Sequence, residues 1–161
     1  MRLAYMLASL LAGGEVVSLK GMIGAGKTFF VRGLALALGS KTLPVSASFN
    51  LMRTYTAAPR ACSAAVKARN KLNIYHFDLF RVSREEMDNI GLEEYLGLKD
   101  GVTAIEWAKS AEYLYGRGDY LELDFVLAGG DSRDIGASAN GATAVKILEG
   151  LEKKWLKKKK P

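Results

Sequence analysis

The sequence predicts a three-layer α/β domain on a mixed central sheet, mainly parallel and partly antiparallel, and three observations carry that reading. Apolar runs with strand and helix periodicity alternate along most of the chain. One strand-to-helix junction is a glycine-rich loop, Gly21-Met22-Ile23-Gly24-Ala25-Gly26-Lys27-Thr28. The last two strand-like runs follow each other across a short turn, which suits an antiparallel pair and excludes a wholly parallel sheet. With 161 residues and 49% hydrophobic content, the chain reads as one domain able to bury a core, residues 1–152, followed by a basic C-terminal tail, residues 153–161.

Taken in order, residues 3–12 open with Leu3, Met6, Leu7, Leu10 and Leu11 at helical spacing, which predicts a helix packed on the sheet. The run also has the basic start and apolar stretch of a secretion signal, but it feeds through Gly13-Gly14 straight into the next strand. Residues 15–19 form a β-favouring strand before the glycine-rich loop, and residues 29–38 are apolar at helical spacing until Gly39 stops them. A turn-rich segment, 43–48, precedes a strand over 49–55. Residues 57–71, rich in alanine and basic side chains, read either as a short helix or as an irregular excursion. A strand over 72–77 then delivers Asp78 at its end. Residues 84–96 read as helix in two pieces split near Gly91, and 101–105 as a buried strand ending in Glu106-Trp107. Residues 120–127 alternate, with Leu121, Leu123, Phe125 and Leu127 on one face and Glu122 and Asp124 on the other, as in an antiparallel or edge strand with one wet side. Residues 133–139 give a weaker strand and 142–156 a closing amphipathic helix.

The loop satisfies the phosphate-binding pattern G-x-x-x-x-G-K-[ST] in its required strand-to-helix context, which points to the phosphate-loop (P-loop) nucleoside triphosphatase architecture. The chemistry demands those residue types. Backbone N–H groups from Gly21, Met22, Ile23, Gly24, Ala25 and Gly26 must wrap a polyphosphate closely, and glycines allow both the approach and the dihedrals. Lys27 reaches the outer phosphates as a point charge, Thr28 offers a hydroxyl to Mg²⁺, and the helix start adds its positive dipole end. A nucleoside triphosphate and Mg²⁺ are the cofactors the loop implies. A triphosphatase also needs a strand-end acid beside the loop to hold the metal, and a group to position the attacking water. Asp78 and Glu106 are the candidates, although a lone strand-end acid serves as readily as a helix cap. Two guanine-nucleotide patterns fail: Asp88-Asn89-Ile90-Gly91 lies in a charged helical stretch, and Asn70-Lys71-Leu72-Asn73 lacks the final aspartate.

One cysteine, Cys62, and one histidine, His76, exclude an intrachain disulfide framework and a Cys/His zinc site, and fit a cytoplasmic setting. No run is long enough to span a membrane. The net charge of +6 is concentrated: Lys153, Lys154, Lys157, Lys158, Lys159 and Lys160 account for it, leaving residues 1–152 neutral overall. The tail reads either as a solvated, solubilising run or as a polyanion contact.

Beside this reading stands a resemblance. The run 16–39, then Ser46-Ala47-Ser48-Phe49-Asn50-Leu51, His76-Phe77-Asp78-Leu79-Phe80-Arg81, Ile90-Gly91-Leu92-Glu93-Glu94-Tyr95 and Ile105-Glu106-Trp107 resemble, in order, the motifs of the bacterial TsaE (YjeE) family. H-F-D-L-[YF]-R and I-E-W together are far more specific than a phosphate loop alone. The resemblance implies an ATPase, slow alone, that works with TsaD and TsaB in making N6-threonylcarbamoyladenosine beside the tRNA anticodon, with tRNA met through that complex. It implies ATP as the nucleotide, Mg²⁺ on Thr28 and Glu106, catalytic roles for Lys27 and for Asp78 at the water, and nucleotide contacts from Ser48, Trp107, Lys109 and Arg133. The chain departs from the family where Met22 and Ile23 replace Asp and Leu, where Phe29 replaces a second Thr, and at Ala47 of Ser46-Ala47-Ser48. It also begins later than the family pattern, before which the family places a further strand and an adenine contact. A small-molecule kinase of the P-loop class and a nucleotide-binding module without hydrolysis are the competing readings.

Overall fold

The computed structural model describes residues 1–40, 51–56 and 72–157; Ser48, the basic segment 57–71 and the four residues from 158 on lie outside the described residues. Helix α1 (Arg2–Ala8) leads into strand β1 (Val16–Gly21), helix α2 (Lys27–Ala37), and strands β2 (Met52–Tyr55) and β3 (Asn73–Asp78). A short helix α3 (Arg84–Met87) and a 3-10 turn (Leu92–Tyr95) precede β4 (Gly101–Glu106). A second 3-10 turn (Ala108–Ala111) runs into α4 (Glu112–Tyr115), followed by β5 (Tyr120–Leu127), β6 (Arg133–Asn140) and α5 (Ala142–Lys157).

The six strands make one sheet in the order β2-β3-β4-β1-β5-β6. Its four central strands run parallel, while β2 on β3 and β6 on β5 are antiparallel, so the sheet is mixed as the sequence predicts. Strand β5 is interior, not an edge: it pairs parallel with β1 and antiparallel with β6. Its alternation is nevertheless real, because Leu121, Leu123 and Phe125 are buried while Glu122 reaches Lys20 at 2.7 Å on the other face.

Strand alternation splits the interior into two layers. Val17 and Leu19 of β1, Ile74 of β3, Val102 and Ala104 of β4 and Leu123 of β5 face α1, α2 and α5. Val16, Phe77 and Ile105 face the other way, under Met87, Leu92, Ala108, Ala111 and Tyr115. Phe77, fully buried and edge-on to Tyr95 at 5.5 Å, contributes about 1.5–3 kcal/mol by leaving water. The same period of two puts His76 and Asp78 on the face of Ile74, and Glu106 on the face of Ala104. Both acids therefore emerge on the α2 side of the sheet.

Two predicted bounds shift. The first helix stops at Ala8, where the Ser9 hydroxyl donates to the Met6 carbonyl at 2.7 Å, and it packs against α2 and α5. The boundary drawn at residue 152 falls inside α5, which continues to Lys157. Leu151 and Trp155, four residues apart, keep one face of that helix on the core, and the Arg2 guanidinium lies 4.9 Å over the Trp155 ring. The split near Gly91 is as predicted, with α3 held at its start by a reciprocal Ser83/Glu86 capping box.

Candidate nucleotide-binding site

The glycine-rich loop closes between the end of β1 at Gly21 and the start of α2 at Lys27. Gly24 and Gly26 take φ of +77° and +108°, and a Cβ at either would meet nothing within 4 Å. Packing within the chain therefore does not demand glycine there; the left-handed backbone and the bare surface above the loop's N–H groups do. The loop is braced from behind. Arg133 on β6 donates from Nε to the Ala25 carbonyl at 3.1 Å and from Nη1 to the Gly130 and Ser132 carbonyls at 3.1 and 2.8 Å. Phe30, one turn into α2, packs edge-on against Phe125 with ring centres 5.6 Å apart, which ties the helix start to β5.

A cavity of about 290 Å³ opens beside this loop, lined by Gly24, Gly26, Lys27 and Thr28 on one wall and Asp78, Phe80, Glu106 and Trp107 on the other, with Ile23 and Phe29 at its edges. The acids stand side by side because β3 and β4 are parallel neighbours in register, Asp78 opposite Glu106. Both are buried, as is Lys27. The Lys27 ammonium donates to the Gly21 and Met22 carbonyls at 2.7 and 2.9 Å and lies 3.9 Å from the centre of the Trp107 ring. Burial pushes its pKa below the ordinary lysine value, while the charges of Glu106 and Asp78 pull it back up. Trp107 is held over the lysine by a left-handed backbone (φ 60°) and by the Phe80 ring at 4.9 Å. Asp78 Oδ1 accepts from the Phe80 N–H at 3.2 Å, and Leu79 N–H donates to the Glu106 carbonyl at 3.1 Å, which fixes the turn after β3 against the end of β4.

The structure thus brings together Gly24, Gly26, Lys27, Thr28, Asp78, Glu106 and Trp107 on one cavity, with Ile23 at its rim. Gly21, Met22 and Ala25 complete the loop without lining the cavity; Met22 and Ile23 are 75% and 71% exposed. Lys109 stands exposed on the 3-10 turn beyond Trp107 and does not line the cavity. Arg133 touches the back of the loop and borders a different groove, between β6 and α5. Sequence reasoning gave Phe80 no role of its own, although it stands in the H-F-D-L-[YF]-R motif two residues after Asp78. It also gave no role to His76, a fully buried side chain whose Nε2 lies 2.9 Å from Glu106 Oε1. The place of His76 at the head of the H-F-D-L-[YF]-R motif and the period of two from Asp78 were the available signals.

The residues fit both expected cofactors. A cradle of open N–H groups at a helix start, with a lysine behind it, suits a polyphosphate. Among the described residues no group of three or more His, Cys, Asp or Glu forms a metal cage. Two carboxylates, Asp78 and Glu106, and the Thr28 hydroxyl line the cavity, and Mg²⁺ is commonly held by one or two carboxylates together with substrate phosphates and water.

The comparisons with known proteins agree with this architecture. The family model "Threonylcarbamoyl adenosine biosynthesis protein TsaE" matches residues 1–135. The tRNA threonylcarbamoyladenosine biosynthesis protein TsaE of Bacillus subtilis is 30% identical over 151 residues, covering 94% of this chain and 86% of that protein. Its namesake in Rickettsia conorii is 38% identical over 115 residues, 70% of this chain and 58% of the longer relative. The crystal structure of Bacillus subtilis YdiB superposes with a TM-score of 0.70 at 27% identity, covering 94% of this chain and 86% of that one. With the loop, the two strand-end acids and the mixed six-stranded sheet in place, the match over most of its length shows that this chain belongs to the TsaE family of threonylcarbamoyladenosine biosynthesis proteins.

Proposed function

We propose that this chain is a Mg²⁺-dependent ATPase of the cytoplasm that acts with TsaD and TsaB in forming threonylcarbamoyladenosine on tRNA. The observation that carries the reading is the single cavity in which the phosphate loop, Lys27, Thr28, Asp78 and Glu106 converge. Thr28 and Glu106 would hold a Mg²⁺ ion, whose chemistry there would be neutralisation of phosphate charge. On nucleotide binding, Lys27 exchanges two neutral carbonyl acceptors for anionic phosphate oxygens, a stronger set of partners. Asp78, buried and level with Glu106, is the group that positions the attacking water. Trp107 and Phe80 wall the cavity and keep its dielectric low, which strengthens each of these interactions. Ser48 and Lys109 complete the nucleotide contacts in this reading, and Arg133 serves the loop by holding Ala25. The transfer chemistry itself belongs to TsaD, and tRNA is met through the complex.

A second reading has one observation in its favour. Phe29, 54% exposed at the cavity edge, offers no hydroxyl at the position after Thr28, as a nucleotide-binding module without hydrolysis would tolerate. Calorimetric titration with ATP, with and without Mg²⁺, tests the binding that both readings share. Saturable binding strengthened by Mg²⁺ is expected; absence of binding would remove the nucleotide assignment altogether.

A further inference from the structure

Only one histidine occurs in the chain, and it is fully buried, in contact with Glu106 and outside the lining of the cavity already described. His76 sits on β3 two residues before Asp78, on the same face of the strand, and diagonal to Glu106 across the β3/β4 register. Its Nε2 is 2.9 Å from Glu106 Oε1. A carboxylate only accepts, so Nε2 carries the hydrogen of this bond. Nδ1, by contrast, is buried without a partner among the described residues. The ring is therefore placed for one bond, and that bond goes to the carboxylate.

The consequence follows from carboxylate geometry. Glu106 projects from the last residue of a strand, where its side chain has rotamers open to it that a buried charge without a donor does not hold. One donor on Oε1 fixes the carboxylate plane and leaves Oε2 free. We propose that His76 is a positioning residue for Glu106: its Nε2–H holds Oε1 so that the other oxygen faces the cavity toward Thr28 and a bound Mg²⁺. This rests on the reading of Glu106 as a metal ligand. Such a bond, one shell out from the metal, orients the ligand and supports its charge in a dry setting.

The test compares donor reach. His76→Gln retains an N–H at the distance of Nε2; His76→Asn places its amide nearer the position of Nδ1 and falls short; His76→Leu removes the donor and keeps apolar bulk. For each folded variant, ATP affinity is measured by calorimetry in metal-free buffer and across a Mg²⁺ titration, alongside a thermal melt. Expected is a rise of about 10- to 100-fold in the Mg²⁺ concentration giving half the full effect for His76→Asn and His76→Leu, with His76→Gln close to wild type and metal-free ATP affinity unchanged in all three. In a Glu106→Gln background, His76→Asn should add nothing to the Mg²⁺ midpoint, since the carboxylate it serves is gone. If wild type shows the Mg²⁺ dependence and all three variants share it, or if Gln and Asn shift it equally, the positioning role is wrong while the cavity assignment stands. If wild-type ATP binding ignores Mg²⁺, the metal reading falls and the inference with it. Should His76→Leu fail to fold, the Gln and Asn pair still decides.

Discussion

Replacing Lys27 with alanine is expected to weaken ATP binding by roughly 10²- to 10⁴-fold. The ammonium is the one cation lining the cavity among the described residues, and it stands at the base of the loop with a reach that covers its carbonyls at 2.7 and 2.9 Å. Truncating one partner of a buried charge pair costs about 3–5 kcal/mol, and each 1.4 kcal/mol is about tenfold in affinity. The loop's N–H groups and the α2 dipole remain in the variant, so weak residual binding is expected. Calorimetry reads the result directly. An affinity equal to wild type would mean that phosphates do not sit beside Lys27, and the loop assignment would fall.

Asp78→Asn should separate binding from turnover. The substitution nearly preserves volume, and an amide oxygen can still accept the Phe80 N–H that Asp78 Oδ1 now accepts at 3.2 Å, so the turn after β3 should hold. What is lost is the carboxylate charge facing the water. General-base assistance is worth about 10²–10⁴ in rate, so kcat in the presence of TsaB and TsaD should drop by about two orders of magnitude or more with ATP affinity within a few-fold of wild type. Equal loss of binding and turnover, with a lowered melting temperature, would make Asp78 a structural residue of the β3 turn.

The candidate site was legible to different depths. Gly21 to Thr28 could be read outright, because a phosphate cradle constrains eight consecutive residues and leaves its pattern in one place. Asp78 and Glu106 were legible as strand ends but not as neighbours: their pairing follows from the parallel register of β3 on β4, which no local pattern reports. His76 went without a role for the same reason, since its partner lies 30 residues away. Arg133 was attached to the nucleotide through resemblance; its guanidinium donates to one carbonyl of the phosphate loop, Ala25, and to two of the β5–β6 turn, Gly130 and Ser132, contacts that the curl of β5 into β6 creates.

In the fold, β5 read as a one-sided strand because Glu122 and Asp124 are polar. The side chain that makes an interior place tolerable, Lys20 against Glu122, belongs to another strand. The end of α5 was legible to within one residue, 156 against Lys157, while charge counting drew the tail from residue 153, inside the helix. Leu151 and Trp155 continue the helical stripe there.

On the proposed reading, this chain supplies an ATPase site whose turnover depends on its partners. No arginine lines the cavity among the described residues, and Arg133 donates to the Ala25 carbonyl of the loop. A group supplied in trans can add about 10³–10⁵ in rate to phosphoryl transfer. The decisive measurement is the steady-state rate of phosphate release from ATP by the isolated chain, by the chain with TsaB and TsaD, and by the Lys27→Ala variant with the same partners. Slow turnover alone, a large rise with the partners, and loss of that rise in the variant are expected. Turnover by the isolated chain as fast as in the complex, or a partner-dependent rate that survives Lys27→Ala, would contradict this reading.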